Sequence, residues 1–170
     1  ANYGQANRVW LNLGGDQGGT PGTFADSGQA LGNSSSQDII LKDLDGDSDL
    51  DAWVTNYGQA NRVWINQGGD QGGTPGIYAD SGQALGSSNS IGAALGDLDG
   101  DGDVDAWVAN YGQANRAWIN QGGIQGGIPG IYADSGQPLG GSGSWRVALG
   151  DVAGDGDLDA WVADYGASSG

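Results

Sequence analysis

An all-β fold is predicted by three features of this 170-residue chain. A 54-residue unit recurs: residues 2–55 and 56–109 agree at about 40 of 54 positions, and residues 110–163 follow the same template. Each unit holds four short runs of strand-forming residues separated by Gly-, Asn- and Asp-rich turns. The 36 glycines interrupt every window long enough for a helix. Four strands per period, repeated along a chain, is the pattern of a β-propeller built of four-stranded blades.

The middle unit shows the elements most clearly. Residues 91–96 are small and apolar and predict a first strand that suits a crowded central axis. Residues 97–105 form an acidic loop, and residues 105–110 predict the second strand. Residues 115–120 predict the third. A Gly-rich connection containing Pro129 leads to the fourth, residues 130–134. Each run has about 5–6 residues, the ordinary strand length. Trp53, Trp107 and Trp161 fall on second strands, and Trp10, Trp64 and Trp118 on third strands. A blade is covered on both faces by its neighbours, so these indoles are expected to pack between blades rather than stack on a ligand.

The formal charge is −16, and all 21 acidic residues are Asp. Fourteen of those Asp lie in three acidic loops, so the charge is local. An acidic chain with five basic residues and no basic stripe argues against a nucleic-acid partner. The absence of His, Cys and Glu excludes the common zinc sites, Ser-His-Asp triads and thiolate chemistry. No apolar run approaches the ~18–20 residues of a membrane span, so insertion in a membrane is not expected.

The acidic loops carry the chemistry. Asp97, Asp99, Asp101, Asp103 and Asp105 alternate with glycine or an aliphatic residue, as do Asp43, Asp45, Asp47, Asp49 and Asp51 except that Ser48 replaces a loop glycine. The third copy keeps Asp151, Asp155, Asp157 and Asp159 but has Ala153 in place of the second acid. Bringing such charges together without a counter-ion costs several kcal/mol. Calcium, which takes 6–8 oxygen ligands, is the ion such a loop suits. An EF-hand would need an acid at position 12 and a following helix; Val54, Val108 and Val162 stand there, and strands follow. About three calcium ions per chain are expected, the third site being weakest. Three would leave a charge of about −10.

The run from Val147 to Asp151, its acidic loop, and then Leu158 to Ala163 resembles the FG-GAP (VCBS) repeat of integrin α-like propellers and bacterial secreted proteins. Asn61 to Asn66 followed by a glycine turn is similar to the bacterial version. The resemblance implies that the loop joins a blade's innermost strand to its second strand, and that the fourth strand lies at the rim. It also implies that side chains at loop positions 1, 3, 5 and 9 coordinate calcium. Those are Asp97, Asp99, Asp101 and Asp105 in copy two, with Asp103 offering its carbonyl. An extracellular, non-catalytic scaffold or binding module is the function it implies.

In that strand order the chain starts out of phase with its blades. Residues 1–166 hold the three repeats. Whole blades are expected near residues 37–85 and 91–139, and a split blade combines residues 145–164 with 7–28. A tail at residues 167–170 is expected to be disordered. Three blades per chain fall below the usual 4–8. Closure as a six-bladed ring from two chains, a head-to-tail homodimer with shared blades, is therefore expected. An excerpt from a longer propeller, or an engineered repeat with no activity of its own, is the rival reading. A lectin-like alternative uses Tyr57, Asn61, Tyr111 and Asn115 as polar-aromatic contacts to a glycan, although a turn capped by Asn side chains accounts for the same motif. A protein ligand is the other partner such a module would take.

Overall fold

A computed structural model describes residues 2–166 except 16–17, 69–70, 123–124 and 142, so the expected tail at residues 167–170 lies outside the described residues. Twelve strands are found among the described residues: β1 (Trp10–Asn12), β2 (Phe24–Asp26), β3 (Ser36–Lys42), β4 (Asp51–Asn56), β5 (Arg62–Asn66), β6 (Tyr78–Asp80), β7 (Ser90–Gly96), β8 (Asp105–Asn110), β9 (Arg116–Asn120), β10 (Tyr132–Asp134), β11 (Ser144–Gly150) and β12 (Asp159–Asp164). They form antiparallel meanders of two, four, four and two strands: β1-β2, β3 to β6, β7 to β10, and β11-β12. The fold is all-β, and its four-stranded antiparallel sheets have the form of propeller blades. No helix is long and apolar enough to cross a membrane among the described residues.

Registers repeat from sheet to sheet. Ala52 faces Trp64 and Val54 faces Arg62 across β4-β5; Ala106 faces Trp118 and Val108 faces Arg116 across β8-β9. The hairpins β3-β4, β7-β8 and β11-β12 each carry an irregularity at one position, Ser36/Asp38, Ser90/Gly92 and Ser144/Arg146. The fourth strands have three residues rather than five, because Gly76 and Gly130 adopt positive φ just before them and delay the ladder. The expected strand start at Asn115 is an isolated bridge to Leu139 instead.

The core lies between the two four-stranded sheets. Leu44, Trp53, Val63, Leu85, Ala106, Val108, Trp118 and Tyr132 form one buried cluster. Trp53 is fully enclosed and meets Tyr132 of the next sheet edge-on, ring centres 4.9 Å apart. Such a pair contributes about 0.5–1.5 kcal/mol beyond its buried area. Trp64 and Trp118 are buried beside Gly32 and Gly86, where a Cβ would come within 3.3 Å of the indole. The expectation of inter-blade packing thus holds for these three Trp. Trp107 is half-buried, whereas Trp10 and Trp161 are 58% and 71% exposed, since their sheets have two strands among the described residues.

Polar side chains join one sheet to the next. Asn7 and Asn115 donate from Nδ2 to Ser36 Oγ and Ser144 Oγ, both at 3.0 Å. Gln29 and Gln83 each reach from a rim turn to the next sheet. Gln83 donates to the Gly130 carbonyl at 2.7 Å and accepts from the Tyr132 amide at 2.8 Å; Gln29 does the same at Gly76 and Tyr78. Lys42 donates to the Leu95 carbonyl. Arg146 donates to the Ile91 carbonyl and lies 3.7 Å from the Asp38 carboxylate. These two cations, unexplained by the repeat pattern alone, tie the innermost strands together.

Candidate calcium centres

Each acidic loop is the turn between the first two strands of a sheet, and its first aspartate shapes it. Asp43 Oδ1 accepts the Gly46 amide at 2.8 Å and Oδ2 the Ser48 amide at 2.9 Å. Asp97 takes the amides of Gly100, Asp101 and Gly102 in the same way. These tight bends need positive φ, which Gly46, Gly100 and Gly102 supply; Ser48 adopts φ 76° where copy two has glycine. The last aspartate anchors the loop to the sheet. Asp51 is fully buried and accepts the Leu44 amide at 2.9 Å and the Asn66 amide of β5 at 2.8 Å; Asp105 does likewise with Leu98 and Asn120.

This folding brings carboxylates together. Asp43, Asp45 and Asp51 offer oxygens within 4.8 Å of one another, as do Asp97, Asp99 and Asp105. One oxygen each of Asp47, Asp49, Asp101 and Asp103 is buried without a hydrogen-bond partner. Gathering carboxylates here has an electrostatic consequence. Burial, then the charges of Asp51 and Asp47, push Asp45 up to about 6; burial also pushes Asp105 up to about 6, against the two amides that favour its charged form. Asp51, Asp99 and Asp103 are raised as well, burial again coming first. Close acids with orphaned oxygens are chemically suited to a hard divalent cation, so the residues fit calcium.

The remaining predicted acids are arranged less uniformly. Asp49 and Asp103 turn toward the outer turn, where their carboxylates occupy the space that a side chain at Gly68 or Gly122 would need. In loop three, Asp151 accepts the amides of Gly154, Asp155 and Gly156, and Asp159 those of Val152 and Ala153. Asp151, Asp155 and Asp157 are exposed, and among the described residues this loop gathers no comparable three-acid group. The lost second acid is Ala153. Among the described residues, no third strand stands beside loop three to match those that supply Asn66 and Asn120 to the other two.

Two supports escape a reading by spacing alone. Gln71 donates to Asp45 at 2.6 Å, and Gln125 donates to Asp99. Asn66 and Asn120 hold Asp51 and Asp105 through backbone amides. Their recurrence at one repeat position was the available signal, but only the fold brings them to the loop. The four ligand candidates divide by burial. Tyr57 and Tyr111 are exposed and line a cavity of about 700 Å³ with Tyr3, Trp145 and Tyr165. Asn61 and Asn115 are buried, and each accepts a backbone amide, from Asn56 at 2.9 Å and from Asn110 at 2.8 Å.

Comparison with protein-family models finds the FG-GAP-like repeat twice, over residues 43–108 and 97–162. The chain belongs to the FG-GAP-like repeat family. Each match begins at the first aspartate of one loop and runs through the next, to Val108 or Val162 of the following second strand. The FG-GAP-like unit therefore spans two successive loops, and residues 97–108, with the second loop, are common to both. No curated protein matches the chain.

Proposed function

We propose that this FG-GAP-like chain is a calcium-stapled, non-catalytic propeller module that serves outside the cell as a scaffold or binding surface, two chains closing a six-bladed ring. The observation that carries the reading is the convergence of three carboxylates in each of two equivalent loops, with neighbouring oxygens buried and unpartnered. Such loops tie first strand to second, so calcium bound there stabilises the blade itself. Extracellular calcium modules work at 10⁻⁴–10⁻³ M, a level met outside cells. FG-GAP repeats are typically non-catalytic, and a chain without His, Cys or Glu offers few groups for catalysis.

Saturation at a hundredfold over Kd adds about 2.7 kcal/mol per site. For a chain of this size that is roughly 5–10 °C in Tm per site. Calorimetric titration paired with thermal melts in calcium and in chelator tests the reading. Two tighter sites, a weaker third and a rise in Tm are expected; a Tm indifferent to calcium would overturn it. Ring closure is read from particle mass by light scattering, with about 34 kDa expected for a chain of 17.1 kDa.

A glycan-binding reading is favoured by one feature, the aromatic cavity of Tyr57, Tyr111 and Trp145. Exposed ring faces suit stacking on sugars. Glycan-array binding lost on Tyr57→Ala and Tyr111→Ala supports it, and no binding to any glycan removes it.

A further inference from the structure

Each end sheet holds two strands among the described residues, and its unpaired edge is a defined one: β12 is a second strand without a third, and β1 a third strand without a second. We propose that β12 of one chain pairs with β1 of a second copy to build a single four-stranded blade, and that Asn12 of the second copy completes the third acidic loop. The proposal rests on the two-chain ring above and specifies its joint.

The two inner sheets supply the template. Advanced by one repeat, the β8-β9 register of Ala106 with Trp118 and Val108 with Arg116 becomes Ala160 with Trp10 and Val162 with Arg8. Advanced likewise, the amide of Asn120 on Asp105 becomes that of Asn12 on Asp159. Within one chain, among the described residues, Asp159 takes the two loop amides on Oδ2 alone. Its other oxygen corresponds to the one that Asp51 and Asp105 offer to a third strand. The second copy thus brings to loop three the anchor its own chain lacks.

Side chains beyond the ladder agree. Gln29 and Gln83 latch one sheet to the next, whereas Gln137, at the same repeat position, is exposed. Its two partners, by repeat position, are the Gly22 carbonyl and Phe24 amide of the second copy. Trp53 is enclosed under Tyr132, but Trp107 is only half-buried; the corresponding cover is Phe24, which is 59% exposed in its own chain. Trp10 would dock on Gly140, as Trp64 does on Gly32 and Trp118 on Gly86. Apolar surface left open at one end of the chain therefore has its match at the other.

The chain has no cysteine, so a single engineered pair reports the joint. The full chain bearing Arg8→Cys and Val162→Cys, oxidised in saturating calcium, is expected to give a covalent dimer on non-reducing gels. An out-of-register pair, Asn12→Cys with Val162→Cys, is expected not to. Gln137→Ala is expected to weaken association roughly a hundredfold, as two hydrogen bonds lost at each of the ring's two joints imply. A dimeric particle that cross-links only out of register, or not at all, overturns this pairing and leaves the two-chain ring standing. A monomer by light scattering overturns both. A disulfide that forms within one chain overturns the second copy as the occupant, and association unchanged in Gln137→Ala overturns the latch.

Discussion

Asp45 and Asp105 are held near the proton by burial, and this sets the pH response of the metal-free protein. Both are pushed up to about 6 in the folded chain, above the 3.8 of an unhindered aspartate. The folded state therefore binds more protons than the unfolded state between these values. The linked stability is present in full below the lower value and is lost as pH rises through about 6. In chelator, Tm is expected to rise as pH falls from 7.5 to 5. In millimolar calcium the trend reverses, because protons then compete with the metal for the same oxygens. Parallel melts at pH 7.5, 6 and 5 check this, and a metal-free Tm that falls on acidification would contradict it. Asp45→Asn separates the two effects at one residue. It removes a like charge from the metal-free loop and a ligand from the loaded one. A higher Tm in chelator, with roughly tenfold weaker calcium binding at one site, is the expected pair of outcomes by melting and calorimetry.

At the scale of the loop and its strands, the support comes from outside the acidic run. Gly122 lies where the Asp103 carboxylate needs room, and a Cβ there would also come within 3.0 Å of Pro129. Gly122→Ala is expected to displace the loop, costing about 1–3 kcal/mol in urea unfolding as overpacking does. It should also weaken calcium at the second site more than at the first. Equal loss at both sites would count against the contact. The acidic loops and the strands around them were legible in the chain because repeat spacing and local turn chemistry determine them. The glutamine and asparagine supports were not, since Gln71 acts on Asp45 and Asn66 on Asp51 only once the outer strands fold back. Tyr57 and Asn61 share one turn and looked equivalent as ligand groups, yet the backbone turns one ring outward and buries the other amide. The roles of Lys42 and Arg146 were equally hidden, because both reach carbonyls of a neighbouring sheet.

For the whole molecule, charge is the quantity that calcium alters. A formal −16 rests largely on three loops on one repeat spacing, so repulsion acts within each loop and between successive blades. Calcium cancels the first directly and reduces the second, while ordinary salt can only screen. The Debye length falls from about 10 Å at 0.1 M to about 3 Å at 1 M, so separated loops are uncoupled at high salt. Contacts inside one loop, where oxygens lie within 4.8 Å, are screened far less. Raising sodium chloride from 0.1 to 1 M is therefore expected to raise Tm in chelator by a few degrees and to change Tm in calcium much less. Salt should not reproduce the full calcium effect, because it leaves the carboxylates within each loop uncoordinated. Melts across the four conditions test this. If 1 M salt in chelator matched calcium, the stabilisation would be general screening, and the loops would not be acting as specific staples.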